Sequence, residues 1–440
     1  MNRSKDERFS EKSLQFLWNS IDTGKKYSLE DNRSLEIISP GTWNGEAGPD
    51  FSNARIRIDG ISCTGAVEIH LKASDWFAHG HQHDRNYNQV ILHVVAENDL
   101  DQNRREQLPP MLVIKKSAVT AGFRKLNYGD CSAFFKNAGN EKIKRLLTEA
   151  GLHRFNLKKN QLIRQMLLDG AEKNCLRQIF DAAGYKKNRK EFLELFERYM
   201  EYPVDLRQKH YEAILWGESG LLPDLAVSKL SEEMEEFARR LWEEWWQIRP
   251  AGKESIKWKN SGGRPVNSPC RRIVLLCRLL EFFGEKPLAR LVEILNVPTP
   301  AIIAGKILKT VQFSDPLWNK YSSFTTKNTR PAAIGGKSTA VEIAVNVLLP
   351  SLAASAEIGF WNDKSPAIKS SAVKIWLELP AMQENIIIKN ALSRWFENPE
   401  TGRKLLNTAA AGQGVIHLYR EFCEKCQADC NSCRLGNSLT

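Results

Sequence analysis

Runs of alternating apolar and polar residues fill the first part of the chain. They read SLEIIS from Ser34, FSNARIRI from Phe51, GAVEIHLK from Gly65, YNQVILHVVAE from Tyr87 and MLVIKK from Met111. Successive side chains of a strand point to opposite faces of its sheet, so a period of two predicts β-strands. The pair Asp59-Gly60 predicts a tight hairpin turn between the second and third runs. With an amphipathic helix expected over residues 9–18, residues 1–125 are predicted to form a small sheet-based domain.

The spacing of apolar residues lengthens after about residue 140, where they recur every three or four positions. Examples are EKIKRLLTEAGLHRFNLKKNQLIRQMLLD, RKEFLELFERYM and EEMEEFARRLWEEWW. This spacing predicts helices. We therefore expect a large all-α region over residues 126–420, with a possible sub-boundary near residues 250–265, and a tail at residues 421–440. The fold class predicted for the chain is α+β.

The composition is that of a globular protein with two or three domains. The 440 residues are 42% hydrophobic and 26% charged. The first residues are polar and offer no signal peptide, so a cytoplasmic location is expected. The most apolar segment, residues 341–354, contains Glu342, Asn346 and Pro350, which favours a buried helix over a membrane span. No membrane partner is predicted.

The formal net charge of +11 favours a polyanionic partner, because Lys and Arg displace the counterions of nucleic-acid phosphates. Surface charge that serves solubility alone explains the same excess equally well. Two basic clusters are the candidate phosphate-binding residues, and they comprise Lys186, Lys187, Arg189 and Lys190, together with Lys257, Lys259 and Arg264. DNA and RNA stay equally open as partners.

Cysteines are used in two ways along the chain. Five are scattered, at positions 63, 131, 175, 270 and 277, and are interpreted as reduced thiols. The other four, at the end of the chain, form the pattern C-x₂-C-x₃-C-x₂-C with Cys423, Cys426, Cys430 and Cys433. Four thiolates at this spacing predict either a zinc site or an iron–sulfur cluster of the [4Fe–4S] type, and four ordinary thiols are the alternative.

The third strand predicted from the pattern has one apolar and one charged face. Val67, Ile69 and Leu71 share the apolar face, and Glu68, His70 and Lys72 share the other. Asp50 begins the preceding strand, so a hairpin brings it near Glu68. Two converging carboxylates repel each other unless a cation or a proton intervenes. We therefore predict that Asp50 and Glu68 bind Mg²⁺ or Mn²⁺, with His70 and Lys72 serving the attacking water or the phosphate in phosphodiester hydrolysis.

A histidine-rich loop, DWFAHGHQHDRNYN, follows this strand and contains His79, His81 and His83 before Asp84. Its H-x-H-x-H-D order departs from the H-x-H-x-D-H run of metallo-β-lactamase-like hydrolases. Three interpretations stay open: a site of that hydrolase type, polar histidines that pair with the backbone or with Asp84, or a loop beside the carboxylate site that contacts phosphate or donates a proton. His93, inside the apolar run VILHVV, is predicted to be a core histidine.

The arrangement Pro49-Asp50, a gap, and Glu68-Ile69-His70 resembles the PD-(D/E)xK nuclease superfamily. The resemblance implies a restriction-endonuclease-like fold for the N-terminal domain, and it makes Glu46 a candidate for the extra acidic residue upstream. His70 occupies the position of the family Lys, which leaves two functions open: a metal-dependent nuclease, or an inactive protein that binds nucleic acid or acts as a scaffold.

Several longer sequence segments resemble those of an uncharacterised bacterial family, domain of unknown function 2851. They are GPDF, VEIH, DWFAHGHQHD, YNQVILHVV, RPVNSPCRR and NVLLP. The phrases extend over most of the chain. The family implies no established reaction.

Overall fold

The structure is a computed structural model, and most of the chain is described in it. The described residues are 11–19, 21, 23–44, 48–114, 131–185, 187–249, 254–259, 267–296, 299–424 and 433–435. Two compact units are formed. The first comprises Met1–Asn137, Leu392–Glu397 and Phe422–Thr440, and the second comprises Ala138–Ala391 and Asn398–Glu421.

A mixed sheet of seven strands forms the centre of the first unit. The strands are β1 (Lys26–Ser28), β2 (Ser34–Ser39), β3 (Thr42–Trp43), β4 (Phe51–Ile58), β5 (Ile61–Lys72), β6 (Val90–Glu97) and β7 (Met111–Val113). Their order is β1-β2-β4-β5-β6-β7, with β3 paired to β4. Four strand pairs are antiparallel: β1–β2, β2–β4, β3–β4 and β4–β5. The pairs β5–β6 and β6–β7 are parallel. The predicted strands and mixed α+β class are thereby confirmed.

The predicted turn joins β4 to β5. Ile58 pairs with Ile61, so the loop contains only Asp59 and Gly60. Both have positive φ, 47° and 86°, which is the backbone of a type I′ turn and explains why Asp-Gly stands here. A two-residue turn sets the pairing from Ile58–Ile61 to Ala54–Gly65, and after a shift of register Val67 lies opposite Phe51 at the far end.

The helices are named in chain order. Those of the first 138 residues are α1 (Glu11–Asn19), α2 (Asp75–Ala78), α3 (Gln102–Arg105) and α4 (Cys131–Ala138). The next are α5 (Asn140–Asp169), α6 (Ala171–Ala183), α7 (Arg189–Met200), α8 (Val204–Ser219), α9 (Glu232–Ile248), α10 (Pro269–Phe283), α11 (Pro287–Ile294) and α12 (Pro300–Val311). The last are α13 (Lys337–Ile343), α14 (Leu349–Glu357), α15 (Ser365–Leu377), α16 (Ile386–Trp395), α17 (Pro399–Arg403) and α18 (Ala409–Leu418).

One face of the sheet is apolar and packs against α1. Leu14 and Trp18 of α1 are fully buried in one cluster with Val67 and Ile69 of β5 and with the inward residues of β2, β4 and β6. The alternation read from GAVEIHLK is therefore confirmed for this face. The opposite face of β5 carries Glu68 and His70.

The most apolar segment of the chain is a core helix. Among the described residues, Lys337–Glu357 is the one helix long and apolar enough to cross a membrane, and 83% of its most apolar window is buried inside the protein. It contains a π-helical turn, Ala344–Leu348, which ends two residues before Pro350. Proline has no N–H to donate to the preceding turn, and a wider turn accommodates its ring.

A buried arginine organises the irregular segment that precedes α13. Arg271 of α10 is 1% exposed, and it donates to the carbonyl oxygens of Trp318, Tyr321 (3.1 Å), Ala332 (2.7 Å) and Ala333 (3.0 Å). We expect Arg271→Lys to lower the free energy of unfolding by about 1–3 kcal/mol, because an ammonium cannot reach all four acceptors at once. Urea unfolding followed by circular dichroism measures this difference.

Arg278 provides the matched control for Arg271. It lies two turns later on the same helix and is exposed, with Glu281 as its ion-pair partner. Arg278→Lys is expected to change stability by less than about 0.5 kcal/mol. Equal stability losses in the two variants would contradict the role given to Arg271.

Candidate functional site

The two predicted carboxylates meet where the β4–β5 pair ends. Asp50 precedes β4, and its backbone N–H donates to Oε2 of Glu68 at 2.9 Å. The backbone N–H of Ile69 donates in turn to Oδ2 of Asp50 at 3.1 Å. The register shifts between Phe51 and Ala54, so regular pairing stops beside these two acids. The hairpin therefore brings Asp50 and Glu68 together, as predicted.

The first helix adds two side chains that the sequence pattern did not indicate. Gln15 of α1 donates to Oδ1 of Asp50 at 2.7 Å and lies 3.5 Å from Oε1 of Glu11. Glu11 and Gln15 are four residues apart and therefore share one face of the helix. That spacing was visible in the sequence, but nothing there showed which strand the face meets.

Burial and mutual repulsion disfavour ionisation of these acids. Burial raises the pKa of Asp50, and the charge of Glu11 raises it further. Burial also raises the pKa of Glu68, and Asp50 is the next cause. The pKa of Glu11 is raised by burial as well. Such a group of acids accommodates either protons or a cation.

Two histidines flank the other oxygen of Glu68, and a third lies beside one of them. His70 Nε2 lies 3.2 Å from Nδ1 of His79 and 3.3 Å from Nε2 of His81. Oε1 of Glu68 lies 3.4 Å from Nε2 of both His70 and His81. The ligand nitrogens of the three histidines all lie within 4.8 Å of one another. One oxygen of Glu68 thus faces Asp50, and the other faces the histidines.

The loop after β5 turns two of its histidines toward His70. His79 follows α2, Gly80 adopts a left-handed conformation with φ of 72°, and His81 begins the next turn. Glycine enters this conformation without the steric cost of a Cβ atom. The ring of His81 stacks on the ring of Tyr87, with 3.7 Å between the ring centroids. It packs edge-to-face with Trp76, with 5.4 Å between the centroids. These contacts hold His81 over the strand, and His79 stays exposed to solvent.

His93 lies behind His70 on the neighbouring strand. β5 and β6 pair in parallel with Glu68 opposite His93. His93 Nε2 lies 2.9 Å from His70 Nδ1, and its own Nδ1 is buried with no hydrogen-bond partner among the described residues. His93 is a core histidine, as predicted, and it also contacts the site.

Burial disfavours the charged form of both inner imidazoles. Burial, and after it the neighbouring His93, His81 and His79, lowers the pKa of His70 to about 2. Burial, followed by His81, lowers the pKa of His93 to about 3. A neutral imidazole keeps one nitrogen lone pair, which is the form that binds metal ions.

The remaining predicted site residues lie apart from this cluster or outside the described residues. Lys72 is exposed at the end of β5. It lies near Asp99. Burial would raise the pKa of Asp99, but the hydrogen bonds from Ser74 and the charge of Lys72 outweigh burial and lower it. His83 is exposed, and Asp84 caps the following turn by accepting from the N–H of Asn86. Glu46 lies outside the described residues.

The two basic clusters of the second unit lie side by side. The Asn188 side chain accepts from the N–H of Lys259 at 2.9 Å and donates to its carbonyl at 3.2 Å. Arg189 forms a bidentate pair with Asp181, and Lys259 pairs with Glu191 at 3.0 Å. The other described cluster members are Lys187, Lys190 and Lys257, of which Lys190 and Lys257 are exposed. Lys186 and Arg264 lie outside the described residues.

The cysteines predicted to bind metal are described only in part. Cys423 and Cys433 are buried, and the Trp395 Nε1–H donates to the sulfur of Cys423 at 3.4 Å. Cys426 and Cys430 lie outside the described residues. None of the five scattered cysteines forms a disulfide with another described residue, and four of the five are buried.

The family model described as protein of unknown function (DUF2851) matches residues 11–384. The chain belongs to this family. No curated protein and no solved structure matches it. In this DUF2851 protein the matched residues include Glu11, Asp50, Glu68 and the histidine cluster, and the match ends before Cys423.

Proposed function

We propose that this protein is a metal-dependent nuclease and that its first unit carries the site of phosphodiester hydrolysis. The observation that supports this most directly is the junction of Asp50 and Glu68 at the end of the β4–β5 pair, beside His70. Buried acids that adjoin neutral imidazoles provide ligands for a divalent cation. A bound cation would supply a reactive hydroxide and neutralise the phosphate charge.

Two further features favour the PD-(D/E)xK nuclease superfamily. The described part of the first unit begins with a helix followed by consecutive strands, and the paired acids belong to neighbouring strands, with Asp50 directly before β4 and Glu68 on β5. Asp50 takes the place of the motif Asp, and Glu68 takes the place of the second acid. The restriction-endonuclease-like assignment of this sheet is part of the proposal.

The positions of the side chains assign different tasks to them. His79 is the exposed member of the cluster, so substrate would approach the site from its side. His70 is 1% exposed, with one nitrogen beside His93 and the other beside Glu68, so it would face the cation instead of touching substrate. Gln15 and the N–H of Ile69 hold the Asp50 carboxylate in place.

The alternative function is nucleic-acid binding without cleavage. The observation that favours it is that no lysine accompanies the acids among the described residues of the site: His70 holds the lysine position of the motif, and Lys72 lies at an exposed position beside Asp99. An ammonium is the group that would otherwise orient the attacking water.

A cleavage assay separates the two functions. Purified protein, stripped with chelator, is incubated with supercoiled plasmid, single-stranded DNA and RNA, each with Mg²⁺, Mn²⁺ or Zn²⁺. The nuclease proposal expects cleavage of at least one substrate that depends on added metal and stops with chelator. If the protein binds a substrate but none of the three metals supports cleavage, the nuclease proposal is overturned and the alternative is supported.

Nucleic-acid binding is expected to depend on the exposed lysines of the basic clusters. We predict that the double variant Lys190→Ala, Lys257→Ala weakens binding and reduces the slope of log affinity against log salt by about 1 for each phosphate that the variant no longer neutralises. Fluorescence anisotropy with labelled DNA and RNA, at several salt concentrations, measures both quantities.

The control for this pair is Lys404→Ala, since Lys404 is an exposed lysine of the same unit that lies outside both clusters. Its affinity and salt slope should match those of the wild type. Equal weakening in control and double variant would show that net charge alone drives binding.

At the tail, we propose that Cys423, Cys426, Cys430 and Cys433 hold one zinc ion or one [4Fe–4S] cluster. The four cysteines span 11 residues, so little chain entropy is lost when their sulfurs converge. Elemental analysis and the visible absorption of an iron–sulfur cluster distinguish the two.

A further inference from the structure

The histidine cluster has the dimensions of a tetrahedral metal site. A tetrahedral ion with bonds of about 2.0–2.1 Å separates its ligand atoms by about 3.3–3.4 Å. Four of the distances among Glu68 Oε1, His70 Nε2, His79 Nδ1 and His81 Nε2 are 3.2, 3.3, 3.4 and 3.4 Å. The ligand nitrogens of His70, His79 and His81 therefore lie close enough to share one ion, and Oε1 of Glu68 lies beside two of them.

In the absence of an ion, this convergence needs a proton between each facing pair of lone pairs. His70 Nε2 has three polar neighbours at 3.2–3.4 Å, and a neutral ring offers at most one proton there. Unless His79 and His81 carry their protons on the nitrogens that face the cluster, lone pairs face each other there. A cation at the centre contacts every lone pair at once.

The chemistry of the four ligands selects the ion. Mg²⁺ prefers six oxygen ligands in an octahedron, whereas the atoms here are three imidazole nitrogens and one carboxylate oxygen. The cluster therefore does not fit Mg²⁺. Zn²⁺ takes four nitrogen and oxygen ligands in this geometry, and other divalent transition ions accept imidazole as well.

We propose that Glu68, His70, His79 and His81 bind one Zn²⁺-like transition-metal ion in a tetrahedral site. As the metal centre of a hydrolase this inference rests on the proposed function, although its test measures metal binding alone. Exposed His79 marks the side on which water or substrate replaces a ligand or adds to the ion.

The surroundings of the cluster are those of a built metal site. Metal-binding histidines usually fix their second nitrogen through a hydrogen bond, and His70 Nδ1 has His93 Nε2 at 2.9 Å. The backbone N–H of Asp50 donates to Oε2 of Glu68, and Oε1 faces the histidines. Trp76 and Tyr87 pack on His81 and keep water from its ring.

The test compares His81→Ala with His83→Ala in the full chain. His83 is two residues away in the same loop but exposed and outside the cluster, so it is the matched control. Both variants carry Cys430→Ser, so that metal at the tail does not contribute to the count. After chelator treatment, each protein is titrated with Zn²⁺, and bound metal is counted by elemental analysis.

We expect one Zn²⁺ per chain in the Cys430→Ser protein and in the His83→Ala variant. In the His81→Ala variant the affinity should fall at least about 100-fold, because one of four ligands is lost. Titration with Co²⁺ should add the strong visible absorption of a tetrahedral ion, and millimolar Mg²⁺ should not displace it. Metal-free unfolding curves of both variants establish that the fold is retained.

Two results would overturn the proposal: equal Zn²⁺ affinity in His81→Ala and His83→Ala, or displacement of the bound ion by Mg²⁺. Failure of the nuclease proposal would be recognised separately, as Zn²⁺ bound by Glu68 and the histidines without cleavage of any nucleic acid. Cleavage supported by Mg²⁺ in protein that binds no Zn²⁺ would retain the nuclease and reject this metal site.

Discussion

Glu68→Gln should reduce metal-dependent cleavage at least about 10³-fold, which corresponds to about 4 kcal/mol of transition-state stabilisation. The substitution preserves size and an acceptor for the N–H of Asp50, so the strand pair should persist. It replaces the carboxyl group, whose Oε1 lies 3.4 Å from Nε2 of both His70 and His81, with an amide that cannot become negatively charged when a cation binds. The measurement is the initial rate of cleavage on the substrate that the wild type cuts, at saturating metal.

Asp50→Asn is expected to reduce cleavage strongly as well, since Asp50 is the second acid at the same point. The matched control is Glu36→Gln, because Glu36 lies on β2 of the same sheet and forms an ion pair with Arg57. Lys72→Ala serves as a further comparison: its exposed position predicts a smaller loss than that of His70→Ala. Retained cleavage in folded Glu68→Gln protein would disprove this site.

Gly414→Ala should destabilise the second unit by more than about 3 kcal/mol. A methyl group at position 414 of α18 would overlap the backbone carbonyl oxygen of Leu147 on α5. Backbone atoms inside a helix cannot rotate away as a side chain can, so the two helices would have to separate. Gly151 makes the reciprocal approach, with the carbonyl oxygen of Ala410 beside it.

Gly412→Ala on the same helix provides the comparison. A methyl group at position 412 would lie 3.5 Å from the sulfur of Met382, an ordinary contact. Alanine is the better helix former, so this variant should be unchanged or more stable by up to about 1 kcal/mol. Urea unfolding followed by circular dichroism should separate the two variants clearly, and a stable Gly414→Ala protein would refute the close crossing of α5 and α18.

The regular elements and the carboxylate pair could be predicted from the sequence because they depend on neighbours along the chain. The alternation in GAVEIHLK determined the two faces of β5, and Asp59-Gly60 determined the hairpin. The two together place Asp50 beside Glu68, only 18 residues away. The helices of the second unit follow from local periodicity in the same way.

The imidazole half of the site depends on contacts that no local pattern reveals. His93 reaches His70 through a parallel strand pair, whose register is set by the packing of the sheet and not by a turn. His79 and His81 reach His70 only because Gly80 reverses the chain in a left-handed conformation. Lys259 and Asn188, 71 residues apart, meet for the same kind of reason.

The sequence by itself therefore determined the secondary structure, the family and the acids at the end of the hairpin. Only the tertiary structure decided which polar groups converge on Glu68, and hence which metal fits. The physical reason is that periodicity and turn chemistry act over a few residues, whereas a ligand cluster needs distant segments to be packed in one register. Glu68 depends on both: the hairpin brings it to Asp50, and the tertiary structure brings it to His81.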